Sequence, residues 1–71
     1  MTKEADQFGI LGTNTWTAVT VLEREHNLNS NKIRVLSING DEQPHTMDFV
    51  AGRVNLNIAN NEVVSYEIEG N

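Results

Sequence analysis

Apolar residues recur along this chain with two different periods. Over residues 15–26, Ala18, Val21 and Leu22 fall three and four positions apart, with Val19 beside them, while Glu23, Arg24 and Glu25 lie mostly off that stripe. This spacing predicts an amphipathic helix. Asn14 precedes it as an N-cap, able to accept from an unpaired backbone N–H, and the cluster Asn27-Leu28-Asn29-Ser30-Asn31 ends it. Residues 33–38 are nearly continuous in apolar and β-branched side chains, the pattern of a strand buried on both faces. Residues 54–58 alternate strictly, which predicts a half-buried strand with Val54, Leu56 and Ile58 inward. Residues 62–68 read as a third strand with Val64, Tyr66 and Ile68 on one face. Asn60-Asn61 tolerates positive φ and should join the last two strands as a hairpin.

Ahead of the helix, residues 2–7 are polar and suit a short helical turn capped by Thr2. Gly9 and Gly12 bracket Ile10 and Leu11, a connector with two apolar anchors. Trp16, near the helix start, is expected to pack rather than to serve as a ligand platform.

Residues 39–52 fit neither period. Asn39-Gly40 is a hairpin signal on its own, but the Asp-Glu-Gln-Pro-His that follows is poor strand material, so no hairpin is expected there. The result is an unusually long connection for a small domain, and such loops tend to be functional or disordered. Disorder calls for a polar composition throughout. Here Pro44 stiffens the approach, and Thr46-Met47-Asp48-Phe49-Val50 is apolar and β-prone where solvent is expected, which suggests a partner. A long connection also allows the strands on either side of it to run parallel. The expected architecture is therefore α+β. One main helix packs on a small mixed sheet of two parallel strands plus an antiparallel hairpin strand, with a long exposed loop.

Arg53 and Asn55 share the strand face opposite Val54 and Leu56 and can look back toward the loop. The rigid fork of donors on Arg53 suits carboxylates and carbonyls, and Asp48 and Thr46 are its natural acceptors. Arg53 would thus tie the loop to the sheet from beneath, and its removal should free the loop while leaving melting nearly intact.

Composition narrows the function. With 71 residues there is room for a single domain, 1–71, in which residues 1–9 are free to fray. A net charge of −5 argues against nucleic acid and against an anionic membrane surface as partner. The absence of Cys excludes a disulfide framework, a thiol nucleophile and thiolate zinc sites. No apolar run is long enough to span a bilayer. The polar start lacks the apolar stretch of a signal peptide. A cytoplasmic address is expected, unless Met1 replaces a removed signal. His26 and His45 sit at no metal-ligand spacing, no glycine-rich phosphate loop precedes a helix, and the chain is too small for a catalytic pocket. No metal, no cofactor and no enzymatic activity are expected.

Thr46-Met47-Asp48-Phe49, followed by Arg53-Val54-Asn55, resembles the potato inhibitor I type of serine-protease inhibitors, most of all its fungal and bacterial elastase-inhibitor branch. The family pattern is a Thr, a variable residue, an acid, an aromatic or apolar residue, then an Arg after a fixed gap. The likeness runs from Leu11-Gly12 through the helix and Ile33-Arg34-Val35-Leu36 to Tyr66-Glu67-Ile68-Glu69-Gly70. It implies that residues 39–52 are a reactive-site loop in which Pro44, His45, Thr46, Met47, Asp48, Phe49 and Val50 meet the protease. Met47 would fill the primary specificity pocket and the Met47–Asp48 bond would lie at the catalytic serine. Arg53 and Asn55 would support the loop from below. Asn55 stands where plant members often carry a second Arg, which leaves one cation under the loop. The expected function is slow, substrate-like, tight-binding inhibition by a monomer of subtilisin-, chymotrypsin- or elastase-like enzymes. The alternative is a non-inhibitory interaction module that uses the same apolar loop or a sheet edge.

Overall fold

In a computed structural model, which describes residues 6–70, the chain forms one helix on a four-stranded mixed sheet. Helix α1 spans Thr15–Glu25. The Asn14 side chain caps it by accepting from the Thr17 N–H at 2.8 Å. Ala18 and Leu22 are fully buried, and Val19 and Val21 pack at the edge of the same core. The helix stops where Asn27 takes φ +57 and the Leu28 N–H bonds back to the Leu22 carbonyl, a C-terminal closure in which Asn replaces the usual Gly.

The strands are β1 (Ile33–Ile38), β2 (Asp41–Glu42), β3 (Val54–Ala59) and β4 (Glu62–Ile68), in the spatial order β2-β1-β3-β4. β1 and β3 run parallel, and the other pairs are antiparallel. Asn60 and Asn61 both adopt positive φ (53° and 62°) in the β3–β4 hairpin, as expected.

β2 corrects the sequence reading. Asn39-Gly40 does turn the chain into a hairpin, with φ of 52° and 85°, and pairs Ile38 with Asp41 and Ser37 with Glu42. Local turn chemistry wins because β2 needs no buried face. It is an exposed edge of two acidic residues, a composition that also blocks further strand addition.

The centre of burial is also displaced from the expected strand. In β1, residues 33–37 are half-buried and Ile38 is exposed, whereas Arg53, Val54, Asn55 and Leu56 are all buried. β3 is the inner strand. Its Val54, Leu56 and Ile58 share one buried cluster with Ile10, with Ala18 and Leu22 of the helix and with Val63 of the neighbouring strand β4. β1 lies next to the short strand β2 and carries polar Arg34 and Ser37 on its far face.

In β4, Val63 is inward and Val64 exposed, the reverse of the expected phase. The register moves by one residue at this point: Ile58 pairs with Val63, but Asn57 pairs with Ser65. Val64 is the extra residue of a β-bulge. It lets Val63 on one side, and Tyr66 and Ile68 on the other, all face the core.

The segment before α1 runs along β4. The Gly12 N–H donates to the Val63 carbonyl and the Val63 N–H to the Thr13 carbonyl. Of the two expected anchors, Ile10 is buried and Leu11 is exposed. Trp16, expected to pack, is 76% exposed. The helical turn expected over residues 2–7 lies outside the described residues for all but its last two positions. Asp6 caps the next turn by accepting from the Ile10 and Leu11 N–H groups. It also accepts from the Tyr66 hydroxyl at 2.6 Å, while that hydroxyl accepts from the Phe8 N–H at 3.2 Å. Burial first, then the bond to Asp6, raises the Tyr66 pKa. Tyr66→Phe removes both bonds and is expected to cost about 1 kcal/mol in denaturant unfolding.

Candidate functional site

Between β2 and β3 the chain leaves the sheet. At its start the Gln43 N–H donates to the Leu36 carbonyl, and His45 Nδ1 bonds the Gln43 carbonyl. Pro44, His45, Thr46, Met47, Asp48 and Phe49 are then exposed in succession, and Val50 is half-buried. Met47 is 93% exposed and Phe49 69%. An unbranched apolar side chain displayed this fully makes no contribution to the core. Phe49 leans on Gly70: a Cβ there would stand 3.1 Å from the Phe49 ring.

The stretch ends in a turn. The Arg53 N–H donates to the Val50 carbonyl, the Gly52 N–H to the Glu69 carbonyl, and Lys32 Nζ to the Ala51 carbonyl. Backbone pairing then continues, with the Glu69 N–H donating to the Arg53 carbonyl at 2.9 Å.

Beneath the exposed stretch lies a polar cluster built by strand alternation. Asn55 on β3 and Arg53, just before it, point away from Val54 and Leu56, and Arg34 is paired with Asn55 across the parallel register. The far face of the sheet therefore presents Arg34, Asn55, Arg53 and, just past β4, Glu69. Arg53 is 6% exposed and Asn55 3%. Glu69 Oε2 accepts from Arg53 Nε, Arg34 Nη2 and Asn55 Nδ2, and its Oε1 accepts from Arg53 Nη2 and the Val50 N–H. Arg34 Nε donates to Asn55 Oδ1 at 2.8 Å. Among the described residues, no buried side-chain polar atom lacks a partner.

Two donors rise from this cluster to the backbone around Met47. Arg34 Nη1 donates to the Thr46 carbonyl at 3.1 Å. Arg53 Nη2 donates to the Asp48 carbonyl at 3.0 Å, and Arg53 Nη1 lies 3.6 Å from the Asp48 carboxylate. The Thr46 hydroxyl donates to the Asp48 carboxylate. The carbonyls on both sides of Met47 are thus held by a half-buried Arg34 and a buried Arg53 while its side chain is exposed.

Of the loop positions expected from sequence, residues 44–49 lie on this exposed stretch and Val50 is half-buried at its end, with Arg53 and Asn55 beneath, whereas residues 39–42 of the expected 39–52 loop belong to the β1–β2 hairpin. Three details differ. Arg53 reaches Asp48 but not Thr46, whose carbonyl is taken by Arg34. The loop has two cations beneath it rather than one, because Arg34 of β1 occupies space opposite Asn55. Arg53 is also a buried ion-pair partner of Glu69, so its removal is expected to lower the melting temperature rather than leave it nearly intact. Arg34 and Glu69 were not foreseen as site residues. Arg34 had a detectable signal, a cation interrupting the apolar run of residues 33–38 next to a parallel partner. Glu69 did not: a strict two-residue Asn60-Asn61 hairpin would set Arg53 opposite Ile68. The bulge at Val64 is what brings Glu69 there instead.

The cluster sets the protonation of its acids. Hydrogen bonds from Arg53, and next from the Val50 N–H, lower the Glu69 pKa from 4.5 to about 2. The Thr46 hydroxyl, and then the charge of Arg53, lower that of Asp48. Glu69 in turn raises the pKa of Arg53. A carboxyl that is more acidic folded than unfolded stabilises the fold fully above its unfolded pKa. Its contribution is then lost as pH falls through the folded value. Glu69 should therefore support the fold unchanged from neutral pH to about 4.5 and lose that support on approach to about 2. Asp6 and Asp48, also lowered, act in the same direction. Thermal melts from neutral to acid pH, with a carbon-13 NMR titration of the Glu69 carboxyl, check this. A Glu69 midpoint near 4.5 would contradict the geometry.

A shallow depression beside the loop's start is lined by Leu36, Ser37, Gly40, Glu42, His45 and Asn57. Among the described residues, no group of three or more His, Cys, Asp or Glu is placed to hold a metal ion, and no helix is long and apolar enough to cross a membrane. No protein-family model matches the chain, and neither a curated protein nor a solved structure is significantly similar to it.

Proposed function

We propose that the chain is a serine-protease inhibitor of the potato inhibitor I type that presents Met47–Asp48 as a substrate-like reactive bond. One observation carries this reading: Met47 is almost wholly exposed, while the carbonyls of both its neighbours are held by arginines seated in the sheet. A peptide that is already in its bound shape loses little entropy on docking, so its contact energy appears as affinity. Residues 44–50 supply the contact, with Met47 in the primary specificity pocket. Protease–inhibitor contacts bury about 800 Å² per partner, an area that this loop and its neighbours can supply.

Attack by the protease serine on the Met47 carbonyl would form an acyl-enzyme and free the Asp48 α-amine. In an ordinary substrate that amine diffuses away. Here Asp48 stays tied to Arg53 by its carbonyl and carboxylate, so the amine remains beside the acyl carbon and the bond re-forms. Met47 suits pockets for medium apolar side chains, as in subtilisin-, chymotrypsin- and elastase-like enzymes. It does not suit the acidic pocket of a trypsin-like enzyme.

Titration of the chain against active-site-calibrated enzymes of these four kinds tests the reading. Inhibition near one-to-one stoichiometry is expected for at least one of the first three, with weak inhibition of the trypsin-like enzyme. If no enzyme is inhibited, the inhibitor reading fails; recovery of a non-protease partner that needs the same loop would put an interaction module in its place.

A further inference from the structure

The geometry assigns to Glu69 the task of keeping the two sides of the Met47–Asp48 bond in register, so that this carboxylate decides whether the chain acts as inhibitor or as substrate. The inference rests on the inhibitory reading above and names a positioning residue within it.

The two segments that meet at the bond are held by different arginines. Arg34, from β1, holds the Thr46 carbonyl on the acyl side. Arg53, immediately before β3, holds the Asp48 carbonyl on the amine side. While the chain is intact, the peptide bond itself fixes their separation. Once it is cut, two ties span the gap: the exposed contact from the Thr46 hydroxyl to the Asp48 carboxylate, whose two ends both belong to the cut segments, and the link between the two arginines, which is fixed in the fold. The strand pairing and the bond from Arg34 Nε to Asn55 Oδ1 bring the two arginines side by side, and one oxygen joins their guanidinium groups directly: Glu69 Oε2 accepts from both Arg34 Nη2 and Arg53 Nε, and Asn55 Nδ2 joins them on the same atom. The other oxygen of Glu69 holds Arg53 a second time and the Val50 N–H, which anchors the amine-side segment two residues past Asp48.

Charge gives the same assignment. Two guanidinium groups that touch one oxygen repel each other, and a carboxylate between them converts the repulsion into a clamp. The acids and bases facing this point are Arg34, Arg53 and Glu69, with Asp48 above them. Asp48 is 53% exposed at its side chain and moves with the amine-side segment, so it cannot replace a fixed anchor. In Glu69→Gln one amide oxygen can still accept, but the amide N–H groups would face guanidinium donors and the neutralising charge is gone.

During turnover the Met47 carbonyl becomes an ester on the protease serine and the Asp48 nitrogen becomes a free amine. Re-formation is attack of that amine on the ester carbon, which returns the serine hydroxyl with its proton. Nothing else is consumed, so the outcome depends on whether amine and ester stay in place longer than water takes to reach the ester.

The test compares the wild type, Glu69→Gln and the control Glu67→Gln, an exposed acid two residues earlier. Each is incubated with a subtilisin-type enzyme. The readouts are initial inhibition constant, rate of cleavage after Met47, and the nicked-to-intact ratio at long times. Glu69→Gln is expected to inhibit initially within a few-fold of wild type, to be cleaved at least ~10-fold faster, and to shift the ratio at least ~10-fold toward the nicked form. Glu67→Gln should match the wild type. A merely structural role would weaken initial inhibition and leave the ratio unchanged, which would overturn the assignment. Wild-type behaviour of Glu69→Gln would also overturn it, with the inhibitory reading intact. A wild-type chain that inhibits nothing would overturn the function instead. Should Glu69→Gln fail to fold, hydrogen exchange on the nicked wild type decides. Retained protection of the Val50 amide supports the clamp, and loss of that protection on nicking contradicts it.

Discussion

Met47→Ala is expected to weaken inhibition of a subtilisin- or chymotrypsin-type enzyme by about 30- to 700-fold with no change in melting temperature. The magnitude follows from the cost of truncating an anchor side chain at the centre of an interface, about 2–4 kcal/mol, at about 1.4 kcal/mol per tenfold in affinity. The unchanged melting follows from exposure. At 93% exposed, Met47 is in solvent in the free chain, so its truncation removes no packing. The same exposure makes Met47→Lys informative. A Lys side chain carries its charge into an acidic pocket and leaves it unpaired in an apolar one. Preference should therefore move from the apolar-pocket enzymes to trypsin-like ones. Inhibition constants against a panel of four enzymes measure both effects. An unchanged profile in both variants would show that the protease contact lies elsewhere.

Arg53→Ala is expected to be the most damaging single change to lasting inhibition, and to the fold as well. Arg53 makes two bonds to Glu69, one to the Asp48 carbonyl and an ion pair to the Asp48 carboxylate, from a position only 6% exposed. Its loss releases the amine-side segment and leaves Glu69 short of its main partner. Inhibition should therefore begin and then decay within one progress curve as the chain is consumed, and melting should drop by several degrees. Arg53→Lys should recover part of the stability and little of the persistence. An ammonium group is a point charge, whereas the guanidinium faces Glu69 along one edge and Asp48 along another. Persistent inhibition by Arg53→Ala would remove this residue from the mechanism.

The parts of this arrangement that were legible in sequence are those set by local rules. The stripe of Ala18, Val21 and Leu22, the Asn14 cap, the alternation of Val54, Leu56 and Ile58 and the Asn60-Asn61 turn each act within a few residues, and each is in place. The exposed stretch around Met47 was legible for the opposite reason: its apolar residues had no periodic partner to bury them. What was not legible depends on register. Strand β2 forms because Asn39-Gly40 is sufficient by itself at an edge, where polar side chains carry no penalty. The bulge at Val64 arises because the two-residue turn, taken strictly, would face Ser65 and Glu67 into the core. An extra residue corrects the phase, and the same correction carries Glu69 to Arg53. Arg34 enters the site through a parallel pairing to Asn55 across a long connection, a contact that no spacing within either strand specifies.

The arrangement also explains how a chain without Cys can hold an exposed loop in one shape. A disulfide restrains a loop from its ends. Here the restraint acts at the apex, through the backbone carbonyls that flank the displayed side chain. It comes from charged donors that are themselves fixed by the sheet, and such charge-assisted bonds are the stronger kind.

The most direct measurement is mass spectrometry of the chain during prolonged incubation with a catalytic amount of a subtilisin-type enzyme, approached from both directions. Starting from intact chain, a single cut between Met47 and Asp48 is expected, with both pieces still associated in native mass spectra. Starting from the purified nicked chain, intact chain should reappear until the same ratio is reached. Cuts at other positions, progressive digestion of the pieces, or nicked chain that never regains the bond would contradict substrate-like inhibition at Met47.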